Sequence, residues 1–118
     1  MPSFEEAIRI HVQSLHISGA LQLRDDGIES QLKRIEESIN IMRQYEMIDD
    51  YNEIVERVQM LQQINDAFEL ATVEFTRFEN VGKLIDNAIV GEIQDLFNEY
   101  PFLQYSVSLM RTIELGMN

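Results

Sequence analysis

The stretch that decides the fold is 28-IESQLKRIEESINIMRQYEMIDDYNEIVERVQMLQQI-64. Its apolar residues fall at Ile28, Leu32, Ile35, Ile39 and Met42, then, after an interruption, at Tyr51, Ile54, Val58, Leu61 and Ile64. Steps of three and four put these side chains on one flank of an α-helix, close to heptad spacing. The ladder runs on through Phe68, Ala71, Phe75 and Phe78, and resumes as Ile85, Ile89, Ile93 and Leu96. It predicts an all-α fold. We expect a bundle of four to five helices, one domain over residues 1–118, with a long central helix over about 50–79.

The interruption at 45–51 decides how that ladder is folded. A seam set by Ile35, Ile39 and Met42 calls for apolar residues near 46 and 49, where Glu46 and Asp49 stand. The apolar residues are displaced to Tyr45, Ile48 and Tyr51. Such a phase slip marks a hairpin or overwinds one continuous helix. Asp50 and Glu53 have capping-box spacing, which favours a new helix after the break and therefore a helical hairpin. No Gly or Pro punctuates the turn. The alternative, one rod from about 27 to 79, would be roughly 80 Å long at ~1.5 Å per residue and would need a second chain, as a coiled-coil dimer.

Outward toward the N-terminus, Ser3 and Glu6 form another capping-box pair. Phe4, Ala7, Ile8, His11, Val12 and Leu15 then share a face, and Gly19 is the natural stop. Ile8, Ile10 and Val12 also alternate as a strand would, but the cap and the absence of a partner strand favour helix. Asp26 and Glu29 repeat the capping spacing and place the start of helix two at Gly27. The face opposite its seam, with Lys33, Arg34, Glu36, Glu37 and Arg43, is expected to be wet. Asn65 and Thr72 fall in register with Tyr51 and Val58, and we expect both half-solvated at the edge of the seam. Toward the C-terminus, Asn80 and Gly82 predict a break before a helix bearing Leu84, Ile85, Ala88, Ile89, Ile93, Leu96 and Phe97. Pro101 ends that helix and opens the next, whose stripe is Leu103, Val107, Met110, Ile113 and Met117.

Composition narrows the function. The 118 residues carry 21 Asp+Glu against 9 Lys+Arg, a net charge of −12. Residues 1–24 are neutral, and the excess lies in the rest of the chain. An acidic surface repels phosphate backbones and anionic membranes and favours basic partners, chiefly through the association rate. With no Cys, thiolate metal sites, disulfides and cysteine nucleophiles are excluded, and a reducing compartment fits. The start Met-Pro-Ser-Phe-Glu-Glu lacks the basic opening and apolar core of a signal peptide, and no apolar run is long enough for a membrane span. We expect a cytoplasmic protein.

No pattern for catalysis stands out. His11 and His16 are five apart, not the four that aims two rings at one ion. Neighbouring carboxylates such as Glu36 and Glu37 diverge by ~100° around a helix and make no acid–base dyad. Gly82-Lys83 lacks the Gly-rich run of a phosphate loop, and no Ser sits in a G-x-S-x-G elbow. The expectation is no enzyme, no cofactor and no metal. We expect a protein–protein interaction module, an adaptor, assembly chaperone or regulator and a homodimer, that buries an apolar helix face on a partner with a basic or apolar surface. The dense C-terminal aromatic run makes Tyr100, Phe102, Tyr105 and Met110 the expected contact residues. Glu36, Glu37, Glu46, Asp49, Asp50, Glu53 and Glu56 make the expected acidic rim. The alternative is a nucleic-acid mimic, whose acidic strip from Asp25 to Asp66 would fill the cationic groove of a DNA- or RNA-binding protein.

Overall fold

The computed structural model of the chain describes residues 1–21, 27–74 and 79–117, with the side chains of 70–74 and 79–81 outside the description. Among the described residues there are five helices and no strand: α1 Phe4–Ser18, α2 Ile28–Gln44, α3 Tyr51–Glu74, α4 Glu79–Glu99 and α5 Pro101–Leu115. This is the expected helical bundle.

Each boundary has a local cause. Ser3 Oγ accepts from the Glu6 N–H at 3.2 Å, capping α1. Ile8 and Val12 are buried while Ile10 between them is exposed, so the helical reading holds over the strand one. At the other end Gly19 takes φ 77°, donating to His16 O, while Ala20 donates to Leu15 O. That pair of bonds is a Schellman stop. Helix α2 starts one residue later than expected, with Gly27 as an N-cap that has no side-chain bond. Asp26, the expected cap, lies outside the described residues.

The chain turns at 45–50, as a hairpin. Glu46 donates to Arg43 O and Met47 to Met42 O, the same Schellman pair that ends α1. Here the left-handed position is held by Glu46 itself, at φ 53°. A sequence search for Gly or Pro passes over it. Tyr51 then ties α3 back to α2: its hydroxyl donates to Asn40 Oδ1 at 2.8 Å, and the Arg43 guanidinium lies 4.4 Å from its ring centroid. An L-residue in this conformation is strained. Glu46→Gly should therefore raise stability by about 0.5–1 kcal/mol in urea unfolding, and a loss would show that the Glu46 side chain contributes more than its backbone costs.

Two expectations about the second half need correcting. Asn80 and Gly82 do not break the chain. Both lie inside α4, and α3 ends at Glu74. The connection at 75–78 lies outside the described residues, as do Phe75 and Phe78. Gly82 serves close approach instead: a Cβ there would stand 2.7 Å from Cζ of Phe68, on α3. Asn65, expected at a half-solvated edge, is buried. Thr72 has no described side chain. Helix α5 opens on Pro101 as expected, after Tyr100 in a non-helical conformation.

Helix α2 is the hub, packing on α1, α3, α4 and α5. Its apolar stripe of Leu32, Ile35, Ile39 and Met42 is buried, together with Ile54, Val58, Ile89, Leu96 and Leu103. The seam is thus covered within one chain, and a rod-like dimer is not needed to bury it. A second stripe, Ser30, Arg34, Ser38 and Ile41, is buried as well. Arg34, expected on a wet face, is only 4% exposed. Its Nε donates to Glu114 Oε2 at 2.9 Å, and its other contact to that oxygen is 2.8 Å. One turn along, Ser106 Oγ donates to Ser38 Oγ at 2.8 Å and Ser38 Oγ faces Met110 Sδ at 3.5 Å. Residue numbers rise on α2 as they fall on α5, so the two helices run antiparallel about this polar layer.

Candidate functional site

A large apolar concavity lies between α3 and α4. It encloses about 410 Å³ and is lined by Arg57, Met60, Leu61 and Ile64 of α3 and by Ile85, Ala88, Ile89, Glu92 and Leu96 of α4. Leu61, Ile89 and Leu96 are core residues that form its floor, whereas Met60 and Ile64 are 63% and 43% exposed. The two helices run antiparallel. Arg57 Nη1 meets Glu99 Oε2 at 2.6 Å and bridges the walls at one end. Near the other, the Phe68 ring lies over Gly82.

The cleft follows from the way the α3 seam turns. After Leu61 the ladder offers Ile64 and Asn65 as its next step. The bundle takes Asn65 inward and leaves Ile64 outward. Asn65 Nδ2 reaches Glu69 Oε1 at 3.5 Å. This exchange of a polar for an apolar residue widens the exposed apolar strip along α3. Leu84 and Val90 on α4, also large and apolar, are exposed too. Such an apolar surface on a small protein marks an interaction site more often than chance.

The expected contact residues do not form one surface. Phe102 and Tyr105 are exposed and stack edge-to-face at 6.1 Å, with Phe4 at 6.5 Å from Phe102 and Tyr45 at 5.8 Å from Phe4. Tyr105 Oη reaches Glu5 Oε1 at 3.5 Å. The hollow there has only Glu5, Pro101, Phe102 and Tyr105 as its lining. Tyr100 points elsewhere, to the hairpin turn, where its hydroxyl meets Asp50 Oδ2 at 3.4 Å. Burial, and the charges of Asp50, Glu99 and Glu53, raise its phenol above the ordinary 10.0, against a smaller lowering by Arg57. Met110 is no contact residue at all. It is fully buried beside Ser38, because it sits mid-stripe between Val107 and Ile113.

The acidic residues also divide. Glu37 is half-buried, with Oε2 3.4 Å from His11 Nε2 but without hydrogen-bond alignment. Glu36 accepts from Gln62 Nε2 at 2.8 Å. Glu46, Asp49 and Asp50 stand exposed at the hairpin turn, and Glu53 and Glu56 stand exposed on the first turns of α3. Glu36 and Glu37 therefore face α3 and α1 respectively, and only Glu53 and Glu56 lie on a helix that walls the cleft.

A polar cluster that sequence reading missed lies between α1, α2 and α5. Lys33, Arg34, Glu37, Glu114 and Ser30 border a hollow of about 20 Å³, and the buried Ser30 Oγ has no hydrogen-bond partner. That volume is the size of one water and too small for a substrate. Among the described residues no three His, Asp or Glu side chains gather as a metal site, and no helix is long and apolar enough to cross a membrane. No protein-family model, curated protein or solved structure matches this chain.

Proposed function

We propose that this protein is a non-enzymatic interaction module, an adaptor, assembly chaperone or regulator, that buries an apolar helical segment of a protein partner in the α3–α4 cleft. The observation that carries this reading is the cleft itself. It has a core-residue floor, exposed Met60 and Ile64 on its lip, and room for several aliphatic side chains. The stacked rings of Phe4, Phe102 and Tyr105 already cover one another in part and leave less to gain from a partner. A cytoplasmic setting belongs to this reading and rests on the cysteine-free composition.

The test is cross-linking and capture of the tagged chain in extract of the cells that make it. Because Met60 is exposed, Met60→Glu leaves the fold intact. We expect a partner that stays bound through high-salt washes, cross-links to the 57–64 and 85–96 segments, and is lost with Met60→Glu. The opposite pattern would establish the nucleic-acid mimic instead. There, nucleic-acid-binding proteins would wash off as salt rises and disappear on joint charge reversal of Glu36, Glu37 and Glu53, yet ignore Met60→Glu.

A further inference from the structure

Resting on the docking reading above, the charge on the two walls says what kind of segment the cleft takes. Helix α3 contains five acids, Glu53, Glu56, Asp66, Glu69 and Glu74, and one base, Arg57. Helix α4 likewise contains five acids and one base, Lys83. Each wall is thus net −4, and together they hold eight of the chain's twelve excess negative charges. Arg57, the base that lines the cleft, is paired with Glu99. Glu92 lines the cleft itself, and Asp95 and Glu99 follow within two turns along α4. On the α4 wall Glu92 borders the trough, and on the α3 wall the exposed Glu53 and Glu56 stand on the turn that leads into Arg57 and Met60, so each helix sets carboxylates beside the apolar stripe.

The trough is also linear. From Arg57 to Ile64 its α3 wall runs about 10 Å, and from Ile85 to Leu96 its α4 wall runs about 16 Å, at ~1.5 Å per residue. That matches two to three turns of a third helix laid along the groove. We infer that the cleft's occupant is a short amphipathic helix of a partner protein, with apolar residues at i, i+3 or i+4, and i+7 and with Lys or Arg on both flanks of that stripe. A second copy of this chain is a poor occupant, because it would bring two copies of the same acidic helix pair together. Charge on the flanks selects the partner and speeds encounter, while the stripe holds it.

The probe is a designed amphipathic peptide of about four turns, with Leu in the stripe and Lys elsewhere, beside a twin in which every Lys is Glu. Titration into the full chain should show one-to-one binding of the Lys peptide, at least about tenfold tighter than that of the Glu twin, with the gap closing as salt rises. The variant Met60→Glu/Ile64→Glu adds negative charge to an exposed lip. It should weaken the Lys peptide about a hundredfold if the stripe seats in the trough, and tighten it if attraction to an acidic surface is all there is. Equal binding of the two peptides, lost in the variant, would overturn the basic-flank inference and leave the docking reading standing. Failure of both peptides, or binding untouched or tightened by the variant, would overturn both. Decanoate seated in the cleft where neither peptide binds would assign it to a small apolar molecule. A dimer in sedimentation that the variant dissolves would assign it to a second copy. Either result rejects the partner-helix inference.

Discussion

Arg34→Ala should destabilise the fold by about 3–5 kcal/mol, the cost of leaving a buried ion without its partner. Against a typical domain stability of roughly 5–15 kcal/mol, that is a large fraction of the whole. In urea, with a slope of ~1–3 kcal/mol/M, it appears as a midpoint lower by about 2 M. The argument rests on geometry. Arg34 and Glu114 are 4% and 5% exposed, they meet through 2.9 and 2.8 Å contacts, and they join α2 to α5 across 80 residues of sequence. Glu114→Ala should also destabilise the fold, because it removes the carboxylate oxygen that two guanidinium nitrogens contact. A loss below about 1 kcal/mol for both would mean that water reaches the pair, as it does at a surface ion pair.

The same pair illustrates why a buried ion pair is not simply a source of stability. Replacing both partners by apolar residues of similar size, Arg34→Met with Glu114→Leu, should leave stability unchanged or raise it. What the pair supplies is register. With Arg34 opposite Glu114 and Ser38 opposite Ser106 and Met110, a slip of one turn between α2 and α5 would bury the guanidinium against Met110. Parting the guanidinium from Glu114 makes that arrangement costly, so the polar layer selects one antiparallel alignment among several that the apolar stripes alone would accept.

This layer marks the limit of what the sequence discloses. The ladder of Leu32, Ile35, Ile39, Ile54, Val58 and Leu96 is legible because helical periodicity is local and apolar side chains announce their face. Helix α2, however, is buried on two faces, and the second is written as Ser30, Arg34, Ser38 and Ile41. Hydrophobic patterning cannot see a polar stripe, and the residue that neutralises Arg34 lies 80 positions away in the sequence, on α5. The signal that was present is small Ser residues at steps of four on either side of Arg34. The hairpin was legible as a phase slip, yet its stop was hidden because Glu46 adopts a conformation usually left to Gly. Gly82 misled in the opposite sense, since its role is set by the Phe68 ring of another helix. The cleft was hidden in the choice between Ile64 and Asn65. Periodicity allows either inward, and only packing decides: Asn65 turns toward α2 and Ile64 toward α4.

Met110→Ala should cost about 2–5 kcal/mol and lower the melting temperature by roughly 10 °C or more, whereas Phe102→Ala should cost about 1 kcal/mol or less. Both residues belong to the dense apolar run that follows Tyr100, and from composition alone they look alike. Their positions on α5 separate them. Met110 continues the stripe of Leu103, Val107 and Ile113, is fully buried, and packs its sulfur against Ser38 of α2. Its truncation opens a cavity at the α2–α5 contact, where the backbone is already held by the Arg34–Glu114 pair one turn away and cannot collapse to fill it. Phe102 is 55% exposed and leans on Phe4 and Tyr105 by ring edges, contacts worth about 1 kcal/mol at most beyond area. Thermal unfolding of the two variants therefore reads which side of α5 faces the bundle. Equal, small losses would put Met110 at the surface and require α5 to be rotated about its axis. That rotation would break the Arg34–Glu114 contact too, so the same result would have to come with a harmless Arg34→Ala.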